Sequence, residues 1–241
     1  PYMRNTGLAY QVTPLYNPEQ GDAGNHPWTA TDKMYRNVTG KFRWGGLDKA
    51  GSGDIYLDET VRRMVTTHRS AMADLAAALY LEGYDATHRA DSLGNGGTVT
   101  EADRAFAADR YKKAETVLDL IGEKLPTSVA PYSIQIGEQI ARCYIQLADA
   151  TGKDALRLKG LDILHGEILR YGAYLPYFKE LRKTLPASGF GGLSGVDRFV
   201  PSYLYYLLDD YVQAGGDTDA LQKELAAKGV NLNDLEDYLR N

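Results

Sequence analysis

From Leu57 to the C-terminus, apolar residues recur at spacings of three and four, and no alternating run interrupts them. Only an α-helix brings such positions onto one face, so this stretch must fold as amphipathic helices packed on one another. Glycines, prolines and small polar residues mark the predicted breaks. Asp58 stands at the N-cap of a first long helix, whose inner face carries Val61, Met64, Val65, His68, Met72, Leu75 and Leu79 until Gly83 ends it. A polar, glycine-rich loop from Asp91 to Thr100 follows. Thr100 caps a second helix with Phe106, Tyr111, Ala114, Val117, Leu118, Ile121 and Leu125 inward, stopped by Pro126. Ser133 to Ala150 and Asp154 to about Tyr174 read as another antiparallel pair, turned at Gly152. Pro176 and Pro186 bracket a broken stretch. Asp197 opens a tyrosine-rich helix ending at Gly215-Gly216, and short helices from Thr218 to Lys228 and from Leu232 to Leu239 finish the chain.

The first 56 residues read differently. Leu8 to Thr13 is a short β-prone run stopped by Pro14, Asn17 to Pro27 is rich in Gly, Asn and Pro, and Thr31 or Asp32 can cap a short helix carrying Met34, Tyr35, Val38 and Phe42. Within the helical part, Ala114, Leu118, Ile121 and Pro126 have the spacing of the second helix of a tetratricopeptide repeat, and Leu147-Ala148, Gly160 and Leu164 echo it more loosely. A small residue matters there because two helices approach closely only where one lacks a large side chain. The expected fold is all-α: antiparallel helical hairpins stacked as a tetratricopeptide-like right-handed superhelix over 57–241, behind a short extended lead-in over 1–56 that holds one short helix.

Composition narrows the function. A net charge of -5 is spread along the chain with no concentration of Lys and Arg, which argues against a nucleic-acid partner. One cysteine, Cys143, excludes an internal disulfide and a cysteine cluster for zinc. No window reaches the ~18 apolar residues needed to span a bilayer. Pro1-Tyr2-Met3-Arg4 is neither a translation start nor a signal peptide, so the chain is expected to be a piece of something longer.

No catalytic constellation assembles. None of the four histidines has a ligand companion at a diagnostic spacing: His68 reads as a core or boundary residue, His165 lacks the H-E-x-x-H arrangement, and His26 and His88 sit in loops. No metal and no cofactor is expected. Asp58-Glu59 reads as a helix cap with a second acid in the first turn, and Asp209-Asp210 as a solvated face, although a glycosidase would need such a pair of carboxylates facing across a sugar. The loop from Gly189 to Gly195 lacks the preceding strand and following Lys-Ser or Lys-Thr of a phosphate cradle, and Ser194 lacks the glycines of a nucleophile elbow. Tyr171, Tyr174 and Tyr177 with Phe178, and Phe199, Tyr203, Tyr205, Tyr206 and Tyr211, form two aromatic groups. They either line a concave surface that takes a peptide or a sugar, or fill the core. Asn37-Val38-Thr39 has the form of a glycosylation sequon within a helix.

Thr6-Gly7-Leu8-Ala9-Tyr10, Met34-Tyr35-Arg36-Asn37-Val38, Lys41-Phe42-Arg43-Trp44-Gly45-Gly46, Tyr56-Leu57-Asp58-Glu59, and Arg63-Met64 with His68-Arg69 together give the chain a likeness to a known family. Over residues 1 to about 150 it resembles the soluble C-terminal part of the domain of unknown function 2723 family, large bacterial multi-pass membrane proteins similar to glycosyltransferases that use lipid-linked sugars. The resemblance implies a tetratricopeptide-like tail on the periplasmic face of a Gram-negative inner membrane. It carries over no catalytic residue, because the catalytic acid is expected on the membrane half. It also implies a structural joint of Phe42, Trp44, Tyr56 and Asp58, with Trp44 and Tyr56 packing the lead-in against the first long helix. The segment from Asp85 to Arg110 departs from the family's usual short turn between the first two long helices.

The leading expectation is a noncatalytic interaction or scaffold domain binding a protein or peptide, the parent's own transmembrane half included, with Tyr171, Tyr174, Tyr177, Tyr203 and Tyr206 as the binding surface. The alternative is a carbohydrate-binding or carbohydrate-active domain with a glycan on tyrosine platforms beside an acid pair. A third reading is a cap that only stabilises the parent.

Overall fold

A computed structural model describes residues 3–12, 14, 29–49, 55–92, 98–177, 180 and 195–232. The fold is helical behind a short extended lead-in. Two strands, β1 (Met3–Asn5) and β2 (Tyr10–Val12), precede α1 (Thr31–Gly40) and a single 3-10 turn over Leu47–Lys49. The helices that follow are α2 (Glu59–Ser92), α3 (Glu101–Lys124), α4 (Ile136–Thr151), α5 (Asp154–Gly172), α6 (Gly195–Gln213) and α7 (Thr218–Ala227). Residues 233–239 of the expected last helix, the segment from Asn17 to Pro27, His26, Pro186 and the loop up to Ser194 lie outside the described residues. The chain divides into two compact units, Pro1–Lys153 and Asp154–Asn241, and the boundary expected after residue 56 falls inside the first.

The first unit is built on the hairpin of α2 and α3. Asp58 starts α2 by accepting the Val61 N–H at 2.7 Å. Thr100 starts α3 through a full capping box, its hydroxyl accepting from the Asp103 N–H while the Asp103 carboxylate accepts from the Thr100 N–H. Met72, Leu75 and Leu79 of α2 and Leu118 and Ile121 of α3 are at most 1% exposed. Burial of each stabilises the fold by roughly 1.5–3 kcal/mol relative to exposure. Val61, Met64 and Phe106, expected to face inward, are 36%, 54% and 42% exposed.

Gly83 corrects the predicted end of α2. The helix runs on to Ser92, because Gly83 is a contact point rather than a stop: a Cβ there would lie 2.7 Å from the Tyr111 ring. Glu82 pairs with Arg110, and the Arg69 guanidinium reaches the Leu125 carbonyl at 2.6 Å, so α3 ends level with Arg69. The first ten residues of α2, 59–68, therefore project past it. α4 packs on α2 and α3 and closes the core with Ile140, Cys143, Tyr144 and Leu147.

The most deeply buried cation among the described residues of this unit is Arg69, 1% exposed. It donates to the carbonyls of Leu125, Ala130 and Pro131 and lies over the Tyr132 ring. It thereby fixes the connection between α3 and α4, whose carbonyls point inward with no helix to satisfy them.

In the second unit α5 packs on α6 and α7. Gly160 and Leu164 of α5 are buried, and Gly172 lies so close to Leu225 of α7 that a Cβ would meet it at 2.9 Å. Asp217 caps α7 by accepting the Ala220 N–H at 3.0 Å.

Candidate functional site

The tyrosine surface expected from the sequence does not form as a set. Tyr171 and Tyr203 are 6% and 1% exposed and meet edge to face with ring centroids 5.1 Å apart, so they belong to the core of the second unit. Burial pushes the Tyr171 hydroxyl up to about 12, as expected where the phenolate would lose its water. Tyr174, Tyr177 and Tyr206 are exposed, and the Tyr206 ring lies 6.1 Å from that of its neighbour Tyr205. Helical spacing brings an aromatic back to the same inward face, and core packing takes two of the five.

Of the expected joint, the Phe42 and Trp44 rings lie 5.7 Å apart and both meet the edge of His68 on α2. His68 Nδ1 lies 2.7 Å from the Met64 carbonyl, which only accepts, so that nitrogen carries the hydrogen. Tyr56 does not join them: it is 88% exposed, and Leu57, 5% exposed, takes the inward place. Asn37 of the sequon donates its side-chain amide to the Thr6 carbonyl at 2.9 Å, and so holds the lead-in rather than standing free.

The acid pairs serve helix geometry. Glu59 pairs with Arg63 one turn on, and Asp209 accepts from Gln213. The Arg110 hydrogen bond holds the Asp32 carboxyl below its ordinary value, the wrong direction for a proton donor near neutrality. Among the described residues no group of three or more His, Cys, Asp and Glu is placed to hold a metal ion. None of the helices among those residues is long and apolar enough to cross a membrane.

Among the described residues two hollows open on the first unit. The smaller, about 460 Å³, lies between β1, the start of α1 and the hairpin, and is crossed by an ion network. Arg110 there reaches Asp32 at 2.5 Å and Glu82 at 3.0 Å, and Thr31 donates to Glu82. This network ties the lead-in to both long helices.

The larger, about 740 Å³, is an open groove along α3 with the C-terminal end of α4 as its other wall. Its α3 side is a stripe at helical spacing: Arg104, Ala108, Lys112, Glu115, Asp119. The stripe changes sign, with cations at the N-terminal end and carboxylates at the C-terminal end. Ala107 and Tyr111 form an apolar floor, 2% and 8% exposed. Two neighbours fix the acidic end: Lys153 donates to Glu115 and the Tyr144 hydroxyl donates to Asp119, each at 2.7 Å. Burial together with the Asp119 contact pushes the Tyr144 hydroxyl far up, so it remains a donor.

Sequence reasoning passed over this groove, because alternating charges on a helix read as a solvated face. The sign change between Lys112 and Glu115, beside the small Ala107 and Ala108, was the available signal. No family model matches the chain, and neither the curated proteins nor the solved structures include one significantly similar to it.

Proposed function

We propose that the chain is a noncatalytic interaction domain that holds a segment of another polypeptide in the α3 groove. The order of charge along its α3 wall supports this reading: Arg104 and Lys112 at one end with the apolar floor of Ala107 and Tyr111 beside them, and Glu115 and Asp119 at the other, where Lys153 of the facing wall pairs with Glu115. Such a gradient selects a partner segment carrying acids and bases in the opposite order, which gives direction as well as affinity. The burial of Tyr171 and Tyr203 leaves the carbohydrate alternative with an incomplete platform. The resemblance to the domain of unknown function 2723 family extends the proposal: the chain is the periplasmic tail of a membrane-embedded glycosyltransferase-like protein, and the segment it holds belongs to that protein's membrane half or to its protein acceptor.

Fluorescence anisotropy with two labelled peptides, one acidic-then-basic and one of reversed order around the same aromatic centre, tests the groove. Affinity is expected for one polarity only, falling as salt rises. The double substitution Arg104→Glu and Lys112→Glu is expected to weaken that binding about tenfold, with rescue by a peptide basic at both ends. Equal or absent binding of both peptides, with no binding to the detergent-solubilised membrane half, would remove the reading.

A further inference from the structure

We propose that the outer edge of β2 is a self-complementary pairing surface for a second copy of this chain, a contact separate from the α3 groove. Opposite residues in an antiparallel pair alternate between exchanging both backbone hydrogen bonds and turning those groups outward. Here the Thr6 N–H donates to the Ala9 carbonyl at 3.0 Å. Asn5 turns the other way: its carbonyl accepts from the Ala30 N–H at 2.9 Å, in a parallel bridge with Thr29. In the register Met3 opposite Val12, Arg4 opposite Gln11 and Asn5 opposite Tyr10, the bonded pair is therefore Arg4 with Gln11. The N–H and C=O groups of Tyr10 and Val12 point away from β1. Among the described residues no backbone partner meets them. The far side of β1 is already taken by Thr29, so among the described residues β2 presents the open edge.

Exposed strand edges are ordinarily guarded by charge. The two residues that present this edge are instead Tyr10, 57% exposed, and Val12, 76% exposed, with Met3 at 52% beside Val12 on the same face. The lysine nearest by contact, Lys33, is engaged with the Gln11 side chain on the opposite face. Gln11 lies midway between the two outward residues. A two-fold axis through it lays β2 antiparallel to its copy and sets Tyr10 against Val12 of the partner subunit, twice. The outward groups then close about four intermolecular hydrogen bonds. Each cross-strand contact is an aromatic residue against a β-branched one, a favoured pair. The interface closes on itself, so association stops at a dimer. A two-stranded ribbon, marginal alone, becomes half of a four-stranded sheet. A foreign strand would satisfy the backbone, but only a second copy repeats the matched Tyr and Val pair on both sides of Gln11.

The same parity sets the test. Across the axis the two Gln11 positions form a non-bonded pair with Cα atoms about 4.5 Å apart, within disulfide range. Cys143 is buried and does not compete. The 241-residue chain carrying Gln11→Cys is expected to cross-link through the introduced thiols under mild oxidation. Sedimentation equilibrium of the unaltered chain is expected to show a monomer and dimer equilibrium between micromolar and millimolar concentration. Val12→Pro removes one outward N–H per copy and leaves the bonds to β1 in place, so the dissociation constant is expected to rise about tenfold. Tyr10→Lys, which leaves the backbone unchanged, is expected to do the same. A chain that stays monomeric throughout, as it would if another segment of its own covered this edge, overturns the proposal. So does a dimer indifferent to both substitutions, or a Gln11→Cys chain that does not cross-link.

Discussion

At Gly83 two opposing effects meet on one atom. Alanine in a helix interior is favoured over glycine by up to about 1 kcal/mol. Its Cβ, however, would lie 2.7 Å from the Tyr111 ring, which is 8% exposed and lies tilted against Tyr80 at 5.9 Å, so the ring must shift to admit it. Overpacking of this kind costs about 1–3 kcal/mol, so the clash outweighs the propensity. Gly83→Ala is expected to lower the urea midpoint by an amount worth about 1 kcal/mol, and a second substitution, Tyr111→Leu, should make the two effects non-additive. The position shows why single residues were read unevenly. Asp58 and Thr100 act on neighbours three residues away, so their capping was legible. Gly83 looked like a helix stop because its true partner is a ring on another helix. Nor could Tyr171 and Tyr203 be told from a binding surface by spacing, which is the same for a core stripe. The groove's acids and bases were hidden the same way, each looking like an ordinary solvated side chain.

Among the elements, α2 and α3 were readable from periodicity, whereas the link between α3 and α4 was not, because it is organised by a charge. Arg69 stands on the inward face of α2, where the sequence pattern calls for an apolar residue, and it donates to the carbonyls of Leu125, Ala130 and Pro131. Arg69→Leu removes the guanidinium, leaving a void and stranding those acceptors. Hydrogen bonds to charged groups are worth about 1.5–3 kcal/mol each, with partial recovery by water. A loss of about 3 kcal/mol or more in unfolding free energy is expected, read by denaturant titration. Arg69→Lys should recover little, since a single ammonium cannot span three carbonyls held by a planar fork. If Arg69→Leu unfolds at the same denaturant concentration as the parent chain, the connection is held by apolar packing alone. The ion network of Asp32, Glu82 and Arg110 was equally illegible, Arg110 lying 28 residues from Glu82 and 78 from Asp32 in sequence.

On the scale of the whole molecule, the chain's alkaline limit follows from groups buried uncharged in both units. Burial pushes the Cys143 thiol up to about 12 from 9.0 and the Tyr171 hydroxyl up to about 12 from 10.0. The unfolded chain releases these protons first. The stabilisation is therefore whole below pH 9 and is lost as pH rises from 9 through about 12. Stability measured by denaturant titration is expected to fall over that range, and Cys143→Ala should flatten the part nearest pH 9, where the unfolded thiol gives up its proton ahead of the tyrosines. A stability profile level across that range would contradict the burial. The stretch of α2 that outruns α3 has a mechanical consequence of its own. Residues 59–68 extend about 15 Å beyond α3, carrying near their root the Phe42 and Trp44 rings set edge to face against His68. A pull on the lead-in is therefore shared between two anchorages on α2 more than three turns apart, the rings at His68 and the Asp32, Glu82 and Arg110 network, so neither helix end has to bear it alone.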